Sequence, residues 1–528
     1  MLRSILKAST KWAPFFVVGI AFFLRAFRLD LFPINHDEAA WTLGSFNNFD
    51  KFMGIPVSCF HGYIQPFYSC LVLLSKKLFS QPEIFIRFPA AVIGSATVGL
   101  LYKLTKEMYG FSAGLISALL LCFLPWHIIE SRAGVSLILT PFFACLVFLC
   151  LVNAIKNKSN AWFLRSYLFL GIGSFYTYQN SILLVFIFHG MLIFLKGELR
   201  WLRPKVIIIG VAIFFIILFP LLYLQITGQI SQYLGKVYRM YYQDPDFTGP
   251  AYQLFVKAFI NLKNNIIYFS SNLFFTHGFI EYGQALKSPL LVNCICFPMF
   301  IISFIAAVIR RNVWDRLILV WLLLGYFGSL AGVRGGCARY IIISLPVFLI
   351  FIGKLMSWLL GNRDRMAYFK NRLLFLGGIV LIIILLSNAI QQIVSYYYKA
   401  PYDLEECRHN SYGCKEAALY LSQIPNIKNY IVQPDSSMEP LGVYLNYYLH
   451  EPLIGGQRHR YLEKKGAIFF VVWAISSHPE DYRGGEFSWL YKFLQKEYPQ
   501  AKLVKTIFYS NGREAIHIYY VDNFLGFY

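Results

Sequence analysis

Apolar runs of roughly 17 to 25 residues, the length a helix needs to cross a bilayer core, recur along the chain as far as residue 395. Short polar stretches separate them. The pattern predicts about eleven spans, near 13–30, 88–106, 112–130, 137–155, 162–178, 180–196, 205–226, 289–309, 314–331, 340–360 and 373–395. One further run, Tyr63 to Phe79, reads differently. Pro66, the central Ser69 and the terminal Lys76 and Lys77 suit an amphipathic helix lying on the membrane surface. From residue 399 the pattern becomes that of a soluble domain. Lys415–Leu421 and Phe487–Tyr498 read as helices; Tyr430–Gln433, Ala467–Trp473, Lys505–Tyr509 and Ala515–Val521 read as strands. Asn511-Gly512 between the last two is a hairpin signal. The expected fold is therefore mainly α: a polytopic helical bundle over residues 1–398, with interfacial helices, and a small extracytoplasmic α/β domain over 399–528.

Charge fixes the expected orientation. If the Tyr63–Phe79 run does not cross, Lys103/Lys106, Lys156/Lys158/Arg165, Lys196/Arg200/Arg203/Lys205, Arg310/Arg311/Arg316 and Arg363/Arg365/Lys370/Arg372 share the cytoplasmic side with the N-terminus. That satisfies the positive-inside rule; a crossing would move every cluster outside. The first apolar segment has no small-residue cleavage site and reads as a retained helix.

Composition agrees with this reading. The 528 residues are 57% hydrophobic and only 14% charged, against about 25% charged in a soluble chain. The net charge of +21 is dispersed over loops rather than gathered in one patch, which argues against a nucleic-acid partner. The ten cysteines lack metal-finger spacing; most sit in apolar runs as small hydrophobes, and Cys407 with Cys414 is a candidate disulfide.

In this topology four outer segments face one another: Asp30–Arg87, Glu130–Ser136, Thr227–Ser288 and Gly332–Arg339. The first carries adjacent carboxylates, Asp37 and Glu38, directly after a span. Ionisable groups placed there are costly and so are functional candidates. The two short outer turns, Glu130–Ser136 and Gly332–Arg339, carry the candidate cations Arg132, Arg334 and Arg339, whereas Arg25 and Arg28 are expected to snorkel from the first helix to the interface. The long segment is rich in aromatics (Tyr233, Tyr238, Tyr241, Tyr242, Phe247, Tyr252), which read as membrane anchors or as a platform for a sugar or isoprenoid.

Several stretches then occur in a telling order: L-R-A-F-R-L-D before H-D-E-A, H-G-Y-I-Q-P (His61 to Pro66), Ile86 to Tyr102, L-P-W-H-I-I-E-S-R-A (Leu124 to Ala133) and A-R-Y-I-I-I-S-L-P (Ala338 to Pro346). Together with the topology they resemble the GT-C superfamily of integral-membrane glycosyltransferases. The branch with protein O-mannosyltransferases and the aminoarabinose transferase of lipid A resembles it most. The resemblance implies transfer of a sugar from a polyprenyl-phosphate-linked donor to a lipid, glycan or protein acceptor at the extracytoplasmic face of the plasma (inner) membrane. It also implies Asp37 as the catalytic carboxylate. Chemistry supplies the other roles: a base for the acceptor hydroxyl, with Glu38 beside it, and guanidinium groups (Arg132, Arg339, Arg334) for the departing phosphate. His36, His61, Gln65 and Tyr340 are candidate substrate contacts. Relatives often place an acidic residue shortly after the Ser-Arg of the second outer turn; Ser131 to Leu137 has none and only Glu130 precedes it. No cofactor is therefore expected, and Glu130 is the one candidate metal ligand. The rival class is a transporter or flippase of lipid-linked sugars. Such proteins tend to show internal repeats or mid-membrane charges, and neither is seen here. A non-catalytic scaffold is a third reading.

Overall fold

The computed structural model describes residues 2–39, 42, 59–60, 63–64, 66–226, 259–260, 262–263, 265–266, 279–281, 284–286, 296–332, 338–361, 369–398, 413–427, 430–434, 439–449, 466–473, 489–508 and 514–524. The long helices are α1 (Leu2–Ala26), α3 (Pro82–Tyr109), α4 (Phe111–Phe123), α6 (Leu139–Asn157), α7 (Asn160–Phe175), α8 (Leu183–Phe194), α9 (Pro204–Ile226), α10 (Cys296–Arg310), α11 (Val313–Trp321), α12 (Leu345–Gly361) and α13 (Phe369–Tyr398). Helix α11 runs on through a π turn, Leu322–Phe327, to Gly332. Two short helices intervene, α2 (Pro66–Lys76) and α5 (Pro125–Glu130).

Among the described residues six helices are long and apolar enough to cross a membrane, and shorter apolar helices accompany them. The chain is an integral membrane protein. The apolar windows of α6 and α12 are each 78% buried and form the centre; those of α9 and α13 are each 22% buried and lie at the periphery. The side chains those outer helices leave open include Ile208, Ile216 and Phe219 on one, and Leu376, Val380 and Ile383 on the other. In water such a belt would be unfavourable, but against lipid tails it costs nothing. Helix α2 has eleven residues and is about 16 Å long, half of a bilayer core. Local chemistry sets the turns. Gly110, at φ +93°, reverses the chain between α3 and α4, and its N–H closes α3 on the Lys106 carbonyl. The Asn312 side chain caps α11 by accepting from the Asp315 N–H.

The C-terminal elements are α14 (Cys414–Ser422), α15 (Glu439–Tyr448), α16 (Trp489–Glu497) and four strands. The two-residue and three-residue hairpins earlier in the chain supply β1 (Cys59–Phe60) with β2 (Tyr63–Ile64), and β3 (Phe279–Glu281) with β4 (Gln284–Leu286). The C-terminal strands are then β5 (Ile431–Pro434), β6 (Gly466–Trp473), β7 (Lys502–Phe508) and β8 (Glu514–Phe524), in the order β5-β6-β8-β7 with only β5/β6 parallel. Alternate residues of β6 serve two cores. Phe469 and Val471 join the core shared with α14 and α15, whereas Ile468, Phe470 and Val472 pack with Leu490 and Leu494 of α16. A sheet covered on both faces explains the unbroken apolar run. Helix α15 is an addition to the sequence reading. The Asn511-Gly512 turn, Cys407 and the six aromatics of the long outer segment lie outside the described residues.

Candidate active site

After α1 the backbone takes a left-handed step at Arg28 (φ +48°), turns through Pro33 and enters a helical turn at His36. Asn35 and Glu38 close this turn reciprocally. The Asn35 Oδ1 accepts from the Glu38 N–H at 2.9 Å, and the Glu38 Oε2 accepts from the Asn35 N–H at 3.0 Å. This is a capping box with Asn and Glu in its two positions.

Glu38 is wholly buried and carries much more than the cap. Its Oε1 accepts from Arg87 Nε at 2.7 Å and from the Gly134 N–H at 2.6 Å; its Oε2 accepts from Arg87 Nη2 at 2.6 Å. Arg87, one turn into α3, spends its remaining donors on the carbonyls of Leu29, Phe32 and Pro33, each at 2.7 Å. All five guanidinium N–H groups are thereby used. A buried ion pair repays its desolvation only when its other hydrogen-bonding capacity is filled, as it is here. Gly134 must be glycine for this contact, because a Cβ there would lie 2.1 Å from Ile86 Cγ2. Both oxygens of Glu38 are therefore buried and taken, one by Arg87 and Gly134 and the other by Arg87 and Asn35.

Asp37 is different. Its side chain is 28% exposed and pairs with Arg339 Nη1 at 2.9 Å; the arginine is 26% exposed. Arg339 stands in the 3-10 segment Ala338–Ser344 that leads into α12. Two residues selected from sequence, 302 positions apart, thus meet in a half-open ion pair. His36, the residue before Asp37, is half-buried.

Arg132 has different partners. It is 4% exposed and lies under the end of α1, donating from Nη1 to the carbonyls of Arg25 (3.0 Å) and Phe27 (2.5 Å) and from Nη2 to that of Arg28 (2.6 Å). Its Nε donates to Tyr396 Oη at 3.3 Å, and its plane lies 4.9 Å from the Tyr397 ring centroid. The last carbonyls of a helix lack partners within it, and Arg132 supplies them. Those bonds leave little of its guanidinium for a phosphate. Arg25 also departs from expectation. It does not snorkel but points inward, fully buried, donating to the carbonyls of Ala21, Leu121 and Cys122, to Ser131 Oγ and to His127 Nδ1 at 2.8 Å. Because arginine only donates, His127 accepts at Nδ1 and is neutral. Glu130 is buried, and the Trp126 indole donates to its Oε1 at 3.3 Å.

His61, Gln65 and Arg334 lie outside the described residues, as does the side chain of Tyr340. Among the described residues no three His, Cys, Asp or Glu side chains converge as metal ligands would. The residue that sequence reasoning missed is Arg87. Its signal was a lone charge within an apolar helix pattern, Ile86 to Tyr102, preceded one turn earlier by Glu83.

The family described as dolichyl-phosphate-mannose-protein mannosyltransferase matches residues 64–224. Among solved structures, ArnT from Cupriavidus metallidurans in the apo state is similar to this chain over 97% of its residues and 98% of ArnT, with a TM-score of 0.59 and 13% identity. ArnT bound to undecaprenyl phosphate matches with the same values. The archaeal oligosaccharyltransferase AglB from Archaeoglobus fulgidus, in complex with an inhibitory peptide and a dolichol-phosphate, matches 86% of this chain with a TM-score of 0.52 and 12% identity. The chain spans 65% of the length of AglB. No curated protein sequence matches it.

Proposed function

We propose, from the premise that this chain has the GT-C fold and is a member of that superfamily, that it is a glycosyltransferase using a polyprenyl-phosphate-linked sugar. The Asp37–Arg339 pair carries the reading. It is a carboxylate and a guanidinium side by side at the ends of membrane helices, half-open, on a turn whose adjacent carboxylate, Glu38, is buried against Arg87. In the reaction an acceptor hydroxyl attacks the anomeric carbon and its proton passes to Asp37. The bond from that carbon to the phosphate oxygen breaks, and the electron pair leaves with the phosphate. Attack from the opposite side inverts the anomeric centre. The leaving phosphate carries its own charge, so it needs a cation rather than an acid, and Arg339 can meet it through two parallel N–H donors.

Several finer roles belong to this proposal. Arg334, His36, His61, Gln65 and Tyr340 contact donor or acceptor, whereas Glu38 and Arg132 position the loop and the end of α1. The site faces the extracytoplasmic side of the plasma membrane, with the N-terminus cytoplasmic. Residues 1–398 form the catalytic unit and 399–528 the extracytoplasmic domain. The undecaprenyl phosphate bound by ArnT and the dolichol-phosphate bound by AglB support a polyprenyl-phosphate carrier.

The test compares Asp37→Asn with the unmodified protein in membranes supplied with polyprenyl-phosphate sugars. The substitution keeps the shape and removes the basicity, and a general base is worth about 10²- to 10⁴-fold. We expect a kcat loss in that range with donor affinity retained. Undiminished transfer removes Asp37 from the mechanism. Movement of lipid-linked sugar across the bilayer with no transfer would instead favour a flippase.

A further inference from the structure

We propose that Tyr444, in the C-terminal domain, is a positioning residue for the Asp37 carboxylate. The inference rests on the transferase reading above and extends its machinery to a part of the chain that holds no reacting group.

Tyr444 sits in the middle of α15 and is fully buried. Its hydroxyl accepts from the Ile34 N–H at 2.8 Å and donates to Glu83 Oε1 at 3.1 Å. Ile34 lies three residues before Asp37 and directly before the cap residue Asn35. Glu83 opens α3 one turn before Arg87, and its side chain is 3% exposed. Lys415 of α14 reaches the same Glu83 oxygen at 2.6 Å. Burial and the Glu83 charge push the Tyr444 phenol well above its ordinary value, so it keeps its proton and can donate at any physiological pH.

The segment Pro33–Asn35 is thus gripped from two sides. Arg87 and Glu38 hold the Pro33 carbonyl and the Asn35 N–H, and Tyr444 holds the Ile34 N–H between them. A phenol hydroxyl that accepts from one group while donating to another fixes both distances at once. A ring without the hydroxyl fills the same space and fixes neither. The loop would then keep its fold and lose its set, and small misplacements of a reacting group cost up to about 10²-fold in rate.

The experiment uses the full chain in detergent or nanodiscs and compares Tyr444→Phe with Leu441→Ala. The latter removes a buried side chain of the same helix without touching the hydroxyl link. Two readouts are taken: hydrogen exchange of the peptide covering residues 29–42, and kcat and KM for sugar transfer. For Tyr444→Phe we expect faster exchange in that peptide and a kcat lowered about tenfold to hundredfold, with KM for the donor little changed. For Leu441→Ala we expect a lower Tm but unchanged kcat below it. Unchanged exchange in Tyr444→Phe overturns the coupling whatever reaction the protein performs. A kcat loss that merely follows Tm in both variants reduces Tyr444 to a packing residue and also overturns it. Faster exchange in a protein that transfers no sugar from any donor would sink the transferase reading while leaving the link itself standing.

Discussion

Asp37 and Glu38 are neighbours in sequence and opposites in circumstance. One faces a guanidinium across a half-open cleft; the other has both oxygens saturated by Arg87, Gly134 and Asn35. Sequence shows why both were candidates: two carboxylates after a span. It also held a hint of the difference, since Asn35-x-x-Glu38 is a capping-box spacing. It could not show Arg87 arriving from 49 positions away. The same blindness misread Arg25 and hid the surroundings of Arg132, both of which donate to backbone carbonyls, and a sequence does not reveal which carbonyls a helix end leaves open. The separation has a measurable consequence. Glu38→Ala leaves the buried Arg87 unpaired, and losing one member of such a pair costs about 3–5 kcal/mol. We expect a large drop in Tm or in the yield of folded protein, seen by thermal unfolding in detergent. Asp37→Asn should leave Tm nearly unchanged, because exposed pairs contribute about 0–1 kcal/mol.

At the scale of elements, the helices of the bundle were legible because their apolar runs are long and bounded by charge. The runs at 205–226 and 373–395 reappear as Pro204–Ile226 and Phe369–Tyr398. Helix α15 was not, for the stretch E-P-L-G-V-Y-L-N-Y-Y combines Pro, Gly, Asn and three tyrosines, all weak helix formers. Its helicity comes from packing against α14, where Ala417, Ala418 and Leu421 face Leu441, Val443 and Tyr444 in one core. The ion pair that joins α14 to α3 is sensitive to alkali. Burial lowers the affinity of Lys415 for its proton, but the hydrogen bond and charge of Glu83 outweigh this and leave the Lys415 pKa above its ordinary 10.5. A raised lysine contributes stability in full below the ordinary value and loses it as pH rises through the raised one. The Tm difference between the unmodified chain and Lys415→Met should therefore hold steady from neutrality to about pH 10 and close above it. A series of thermal unfolding curves against pH checks this.

For the whole molecule, the basic loops and the Asp37–Arg339 pair call for opposite sides of the membrane, and the C-terminal domain must stand with the pair, because Tyr444 and Lys415 touch the segment beside it. A reporter that is active only outside the cytoplasm, fused after Tyr528, should be active. A reporter that works only inside should be silent there. The opposite pattern would refute the orientation. The expected orientation rests on charge alone, whereas the junction between the two parts was invisible in the sequence, being made of one tyrosine and one glutamate among many.

The bond from Ile34 to Tyr444 spans 410 positions. Synthesis proceeds from the N-terminus at about 5–20 residues per second, so the Asp37 turn is made about 20–80 s before Tyr444 exists. During that interval the bundle can insert and pack while the turn stays unset. A nascent chain shorter than 444 residues therefore carries the Asp37 turn without the hydroxyl that holds its Ile34 N–H.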